Sequence, residues 1–146
     1  MAEPETAAVG FRYVESSALV AALLERDVEA LTALRAKTRP ITSALTLAEA
    51  ARAIVRARVG ERLTPEAERA AVRALQRFER RCYIVAVTDD VLARVRRVFP
   101  VEPVRTLDAV HLATAESLGE PPQLMTIVTR DTRVRANAAA LGFSVE

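Results

Sequence analysis

Apolar residues recur along this chain in two kinds of pattern. Short runs rich in β-branched and aromatic residues occur at Phe11-Arg12-Tyr13-Val14, Pro40-Ile41-Thr42, Cys82-Tyr83-Ile84-Val85-Ala86-Val87, Leu124-Met125-Thr126-Ile127-Val128-Thr129 and Phe143-Ser144-Val145. Each predicts a strand. The Cys82–Val87 run is apolar throughout, which predicts the central strand of a sheet covered on both faces. Between these runs the apolar positions take helical spacing. Ser17 is placed to cap a helix reaching Leu24, and Asp27 to Ala36 continues helically with Val28, Leu31 and Leu34. Thr46-Leu47-Ala48-Glu49 has the spacing of a capping box and opens a helix ended by Gly60. Thr64-Pro65-Glu66 puts proline in the first turn of a helix that runs to Arg80. Further helices begin at Asp89, stopping before Pro100, at Thr106, running to Leu118, and at Asp131, closed by Gly142.

Strands alternating with helices predict an α/β fold: parallel pairing, right-handed crossovers and helices on both sheet faces. In such folds the functional crevice lies at the carboxyl ends of the strands. Glu15 follows the first strand and Asp131 follows the Leu124–Thr129 strand.

The 146 residues fit one domain, expected over residues 11–146 behind a flexible segment at 1–10. A hydrophobic share of 51% is too high for a disordered chain. The longest apolar runs, such as Ala18–Leu24, are too short to cross a membrane, and the acidic, polar start at Met1-Ala2-Glu3-Pro4-Glu5 is unlike a signal peptide. These features predict a cytoplasmic protein with no membrane contact. The single cysteine, Cys82, excludes an internal disulfide and a cysteine zinc cage, and its place in a strand run reads as core. Charges nearly balance, 21 basic against 19 acidic, and Lys37 is the only lysine. An arginine-rich surface is compatible with phosphate and nucleic-acid binding; base composition of the gene explains it equally well.

Four carboxylates sit at strand ends or helix starts: Glu15, Glu49, Asp108 and Asp131. Each has a structural explanation. Glu49 completes the capping box, Asp108 lies in a first helical turn where the dipole favours an acid, Asp131 is a good N-cap, and Glu15 is a surface acid beside a helix start. Their settings are nevertheless apolar, as in Leu107-Asp108-Ala109-Val110. Two carboxylates about 5 Å apart repel by roughly 3 kcal/mol at an effective dielectric of about 20. A converging set therefore needs a cation or a catalytic reason, and oxygen ligands alone select hard ions such as Mg²⁺ or Mn²⁺.

Tyr13-Val14-Glu15-Ser16-Ser17-Ala18-Leu19-Val20 resembles the opening of a PIN domain, and Thr46-Leu47-Ala48-Glu49 its second acidic position. Leu107-Asp108-Ala109-Val110-His111-Leu112-Ala113-Thr114-Ala115 is similar to its most recognisable segment, and Val128-Thr129-Arg130-Asp131 to its closing one. Length and form resemble the VapC-type toxins of type II toxin–antitoxin modules. The resemblance implies a three-layer α/β/α sandwich around a mainly parallel sheet, and a Mg²⁺- or Mn²⁺-dependent endoribonuclease. It further implies a homodimer and an antitoxin that occludes the site. Carried over, the catalytic and metal-holding residues are Glu15, Glu49, Asp108 and Asp131, with Ser17 as a polar neighbour of the metal and Thr129 a further supporting residue. His111, one turn after Asp108 on the same helix, reads as a supporting or packing residue that continues a buried stripe with Ala115 and Leu118; a metal-ligand or acid–base role is the alternative. A metal-activated water would attack the phosphodiester.

One position departs from the family pattern, which usually has Asp where this chain has Glu15. The extra methylene moves the carboxylate by roughly 1.5 Å on an unmoved backbone. Three outcomes are open: a compensating backbone, a shift toward Mn²⁺, or a weakened site that leaves an RNA- or partner-binding module. A receiver-like domain is a third reading, against which the distant Lys37 counts. Arg94, Arg96 and Arg97 after one strand, and Arg130, Arg133 and Arg135 around Asp131, are candidate RNA contacts or simply solvated helix faces. Of these, Arg94, Arg97 and Arg130 are the leading candidates. Leu45, Leu47, Ala51, Ile54 and Val55 are candidates for a groove that takes a partner helix, or for ordinary core.

Overall fold

The computed structural model describes residues 10–146. The expected flexible segment at 1–10 therefore lies, but for Gly10, outside the described residues. Five strands form one parallel sheet: β1 (Phe11–Val14), β2 (Ile41–Ser43), β3 (Tyr83–Val85), β4 (Met125–Val128) and β5 (Ser144–Val145), in the order β3-β2-β1-β4-β5. Among the described residues seven α-helices connect them: α1 (Ser16–Leu24), α2 (Val28–Leu34), α3 (Ala44–Val59), α4 (Pro65–Arg81), α5 (Asp89–Val95), α6 (Thr106–Ser117) and α7 (Thr132–Ala140). This is the three-layer α/β/α sandwich. Among the described residues no helix is long and apolar enough to cross a membrane.

The layers follow from the two-residue period of the strands. Val14 of β1 and Val128 of β4 face one core with Leu19, Ala30, Ile54 and Phe78 from α1 to α4. Their neighbours Tyr13 and Ile127 face the opposite core with Val91, Leu112 and Val134 from α5, α6 and α7. The chain leaves β1 toward β2 on one side and returns to β4 on the other. The crevice between the carboxyl ends of β1 and β4 is thus the point where the strand order reverses, the usual place for a ligand in an open α/β sheet. A receiver domain has the order 2-1-3-4-5, so that reading is set aside.

Several local expectations are corrected. The Cys82–Val87 run is not the central strand: β3 is shorter, lies at the sheet edge, and leaves Tyr83 56% exposed. The Arg39 guanidinium covers that ring at 3.6 Å and donates to the Arg81 and Cys82 carbonyls. Cys82 itself is buried, and burial pushes its thiol up to about 12. Helix α1 is capped by Glu15, whose side chain accepts from the Ser17 N–H, and not by Ser17. Helix α3 starts earlier than the capping-box pattern predicts. Its N-cap is Ser43, Glu49 falls in the second turn, and the Thr46 hydroxyl is buried with no hydrogen-bond partner. Glu49 is therefore not held by a cap. Ile54 is 2% exposed and part of the core, which removes it from any docking groove; Val55 and Ala51 are exposed.

Candidate active site

Glu15 is the first residue past β1, and its N–H donates to the Val128 carbonyl at 3.0 Å, which pins it beside the end of β4. Its carboxylate is 2% exposed and accepts four hydrogen bonds. Oε1 takes the Ser16 hydroxyl at 2.8 Å and the Ser17 N–H at 3.1 Å. Oε2 takes the Ser17 hydroxyl and the Thr129 hydroxyl, the latter at 2.7 Å. The same hydroxyls accept in turn from the strand-end backbone, Ser17 Oγ from the Arg130 N–H at 2.8 Å and Thr129 Oγ1 from the Asp131 N–H at 3.1 Å. Ser17 and Thr129 thus lock the β1 and β4 ends together through the Glu15 carboxylate.

Glu49, on the second turn of α3, reaches the same place from the other side of β1. His111 Nε2 lies 2.7 Å from Glu49 Oε1 and 3.9 Å from Glu15 Oε1. His111 is 1% exposed, and its Nδ1 lies 2.9 Å from the Tyr13 hydroxyl. A carboxylate only accepts, so Nε2 carries the hydrogen toward Glu49; in the neutral ring Nδ1 then accepts from Tyr13. Burial pushes the Tyr13 phenol far above its ordinary value, which keeps its proton in place as the donor. The buried row Tyr13–His111–Glu49 therefore fixes both the tautomer and the direction of the Glu49 side chain.

Asp108 and Asp131 form the outer side. Asp131 caps α7, Oδ1 accepting from the Arg133 and Val134 N–H groups at 2.8 and 3.0 Å. Its Oδ2 accepts from Arg105 Nη2 at 3.2 Å, while Asp108 Oδ2 accepts from Arg105 Nε at 3.0 Å. Burial raises the Asp108 carboxyl above its ordinary value, the Arg105 hydrogen bond works against that, and the negative charges of Asp131 and Glu15 add to the rise. An open cavity of about 330 Å³, lined by Glu49, Arg105, Thr106, Leu107 and Asp108, connects this side to Glu49. The four acids thus come from two strand ends and two helices into one neighbourhood.

The four acids offer oxygen ligands, the kind that hard divalent cations take. Among the described residues no three carboxylate, imidazole or thiol side chains are arranged to hold a metal ion as they stand. A cation already bridges Asp108 and Asp131, namely the Arg105 guanidinium. The donor chemistry is of the kind that suits a divalent ion, and the outer pair, Asp108 and Asp131, is the one that Arg105 bridges.

The PIN domain family model matches residues 12–140. The chain belongs to the PIN domain family. Ribonuclease VapC35 of Mycobacterium tuberculosis is 36% identical over 137 residues, covering 91% of this chain and 93% of that protein. Ribonuclease VapC46 of the same organism is 38% identical over 135 residues, covering 91% and 94%. In fold, the chain resembles one in the crystal structure of VapBC2 from Rickettsia felis bound to a promoter DNA fragment, with a TM-score of 0.62 at 12% identity and coverage of 93% and 97%. These relatives make it a VapC-type PIN domain.

Within this PIN fold the candidate RNA contacts behave unlike one another. Arg94 is turned into the protein, 2.8 Å from Glu116 and stacked 3.8 Å over Phe99, and Arg97 lines the cleft beside it. Arg130 is held by Asp27 at 3.0 Å and by Glu29 at 3.8 Å. The residue that the sequence pattern passed over is Arg105. A positive charge at the N-cap of α6 opposes the helix dipole. That anomaly, three residues before Asp108, was the signal that could have found it.

Proposed function

We propose that this chain is a Mg²⁺- or Mn²⁺-dependent endoribonuclease that acts as the toxin of a toxin–antitoxin pair. The observation that carries the proposal is the convergence of Glu15, Glu49, Asp108 and Asp131 from four segments at the strand-order reversal. The relatives named as ribonucleases support the reaction class, and the VapBC2 assembly supports an antitoxin as partner. A second copy of the chain completes the proposed assembly.

When bound, the divalent ion supplies a Lewis acid for the phosphodiester and lowers the pKa of a coordinated water. Asp108 and Asp131 would hold it from the outer side, with Glu15 and Glu49 behind them. The chain's own residues supply position. Ser16, Ser17 and Thr129 fix the Glu15 carboxylate, and the Tyr13–His111 row aims Glu49. The buried Cys82 thiol lies away from the pocket, in the core on the α1–α4 face.

The test is RNA cleavage by the full chain in Mg²⁺ and in Mn²⁺, beside E15D and D108N. The proposal expects metal-dependent cleavage that is abolished by chelation and by D108N. Cleavage that survives both overturns it. A second reading, a binding module with a weakened site, has one observation in its favour: three of the four hydrogen bonds to Glu15 come from Ser16 and Ser17 and turn its carboxylate back onto the start of α1. Cleavage seen only after E15D would establish that reading.

A further inference from the structure

Arg105 stands where the pocket's charge would otherwise be uncompensated. It occupies the N-cap of α6 without giving that helix a side-chain cap, and its side chain is 67% exposed. One guanidinium nevertheless takes Asp108 Oδ2 through Nε and Asp131 Oδ2 through Nη2. Arg94 and Arg130 have carboxylate partners outside the pocket, Glu116 and Asp27. The partners of Arg105 are the pocket itself.

A divalent ion held by Asp108 and Asp131 would set a second positive charge against the guanidinium on the same two carboxylates, and the two cations repel at short range. Loading therefore weakens the hold of both acids on Arg105. Its exposed side chain then stands at the rim of the cavity that Glu49 and Asp108 line, and a guanidinium freed there meets a phosphate in a forked, bidentate fashion.

We propose that Arg105 is an exchangeable counter-ion: it bridges Asp108 and Asp131 in the metal-free protein, yields them to a divalent cation, and then contacts the RNA phosphate. This rests on the metal-dependent reading of the pocket. The exchange is tested by titrating the full-length protein with Mn²⁺ and following the free ion by electron paramagnetic resonance, in wild type, R105K, R105Q and D108N. R105Q is expected to bind Mn²⁺ about tenfold more tightly, the scale of two displaced exposed ion pairs, with R105K between it and wild type. RNA cleavage at saturating Mn²⁺ is expected to show a KM raised about tenfold in R105Q, the size of a lost charge-assisted contact, and a smaller change in R105K. Wild-type Mn²⁺ affinity in R105Q overturns the exchange, even where metal-dependent cleavage itself stands. An unchanged KM in R105Q overturns the phosphate contact. If wild type binds no Mn²⁺ and still cuts RNA, the metal reading fails and the exchange with it.

Discussion

The two sides of the acidic pocket hold their carboxylates by different physical means. On the inner side, Glu15 and Glu49 are bound by the hydroxyls of Ser16, Ser17 and Thr129 and by the His111 imidazole, from positions that are buried or nearly so. On the outer side, Asp108 and Asp131 share one arginine whose side chain is mostly in solvent. Hydroxyl donors in a packed strand end fix a carboxylate's direction without cancelling its charge. An exposed ion pair cancels charge and fixes direction poorly. The inner side is therefore built for position, while the outer side holds its acids through a contact that solvent reaches.

The largest expected effect is at His111. H111A removes a fully buried ring, strands the Tyr13 hydroxyl and frees Glu49. It is expected to lower unfolding stability by about 3 kcal/mol, measured by urea denaturation. Y13F removes only the donor to Nδ1 and is expected to remove about 1–2 kcal/mol by the same measurement. A loss under a few tenths of a kcal/mol for H111A would mean that the inner side is not the rigid one.

On the outer side the expected effects are smaller. D131A deletes the cap that takes the Arg133 and Val134 N–H groups and is expected to lower stability by about 1 kcal/mol, whereas D131N, also a good cap, largely keeps it. The smallest effects are read from pH. Asp108 has a folded pKa above its ordinary value of 3.8, so the folded state binds its proton more readily than the unfolded chain. Its contribution to stability thus rises as pH falls through the folded value toward 3.8. Without metal, D108N is expected to be no less stable than wild type at pH 7 and to flatten that rise. Asp27 has the opposite sign. The Arg130 hydrogen bond, with that of the Ala30 N–H, holds its pKa below 3.8. Its stabilisation is present above that value and is lost as pH falls through the folded one, so D27N should reduce the acid sensitivity of the fold. Melting temperatures across the acid range check both signs.

Much of this architecture was legible in the chain because local rules carry it. The apolar runs at β1 and β4 announced themselves, Asp131 was readable as an N-cap, and Asp108 as a first-turn acid. What stayed hidden depends on partners far along the chain. His111 meets Tyr13 across 98 residues and Glu49 across 62, and no local pattern encodes either contact. Arg105 joins Asp131 across 26 residues. Glu15 displaced Ser17 as the cap because its longer side chain can fold back onto the Ser17 N–H, which a rule based on short polar side chains passes over. The β3 run misled for another reason: continuous hydrophobicity reports burial, and the Arg39 guanidinium on Tyr83 substitutes for a missing neighbour at the sheet edge. The Glu49 capping box failed because Ser43, three residues upstream of Thr46, caps first.

The claim beneath both sides of the pocket is that four acids scattered along the chain act as one cation site. Thermal melting with and without Mn²⁺ tests it most directly, in wild type and in E15Q, E49Q, D108N and D131N. At 100 times the dissociation constant, binding to the native state alone adds about 2.7 kcal/mol. A clear rise in wild-type melting temperature is predicted, lost in D108N and D131N and reduced in E15Q and E49Q. A wild-type melting temperature that Mn²⁺ leaves unchanged, or a rise that survives in D108N, would contradict the account.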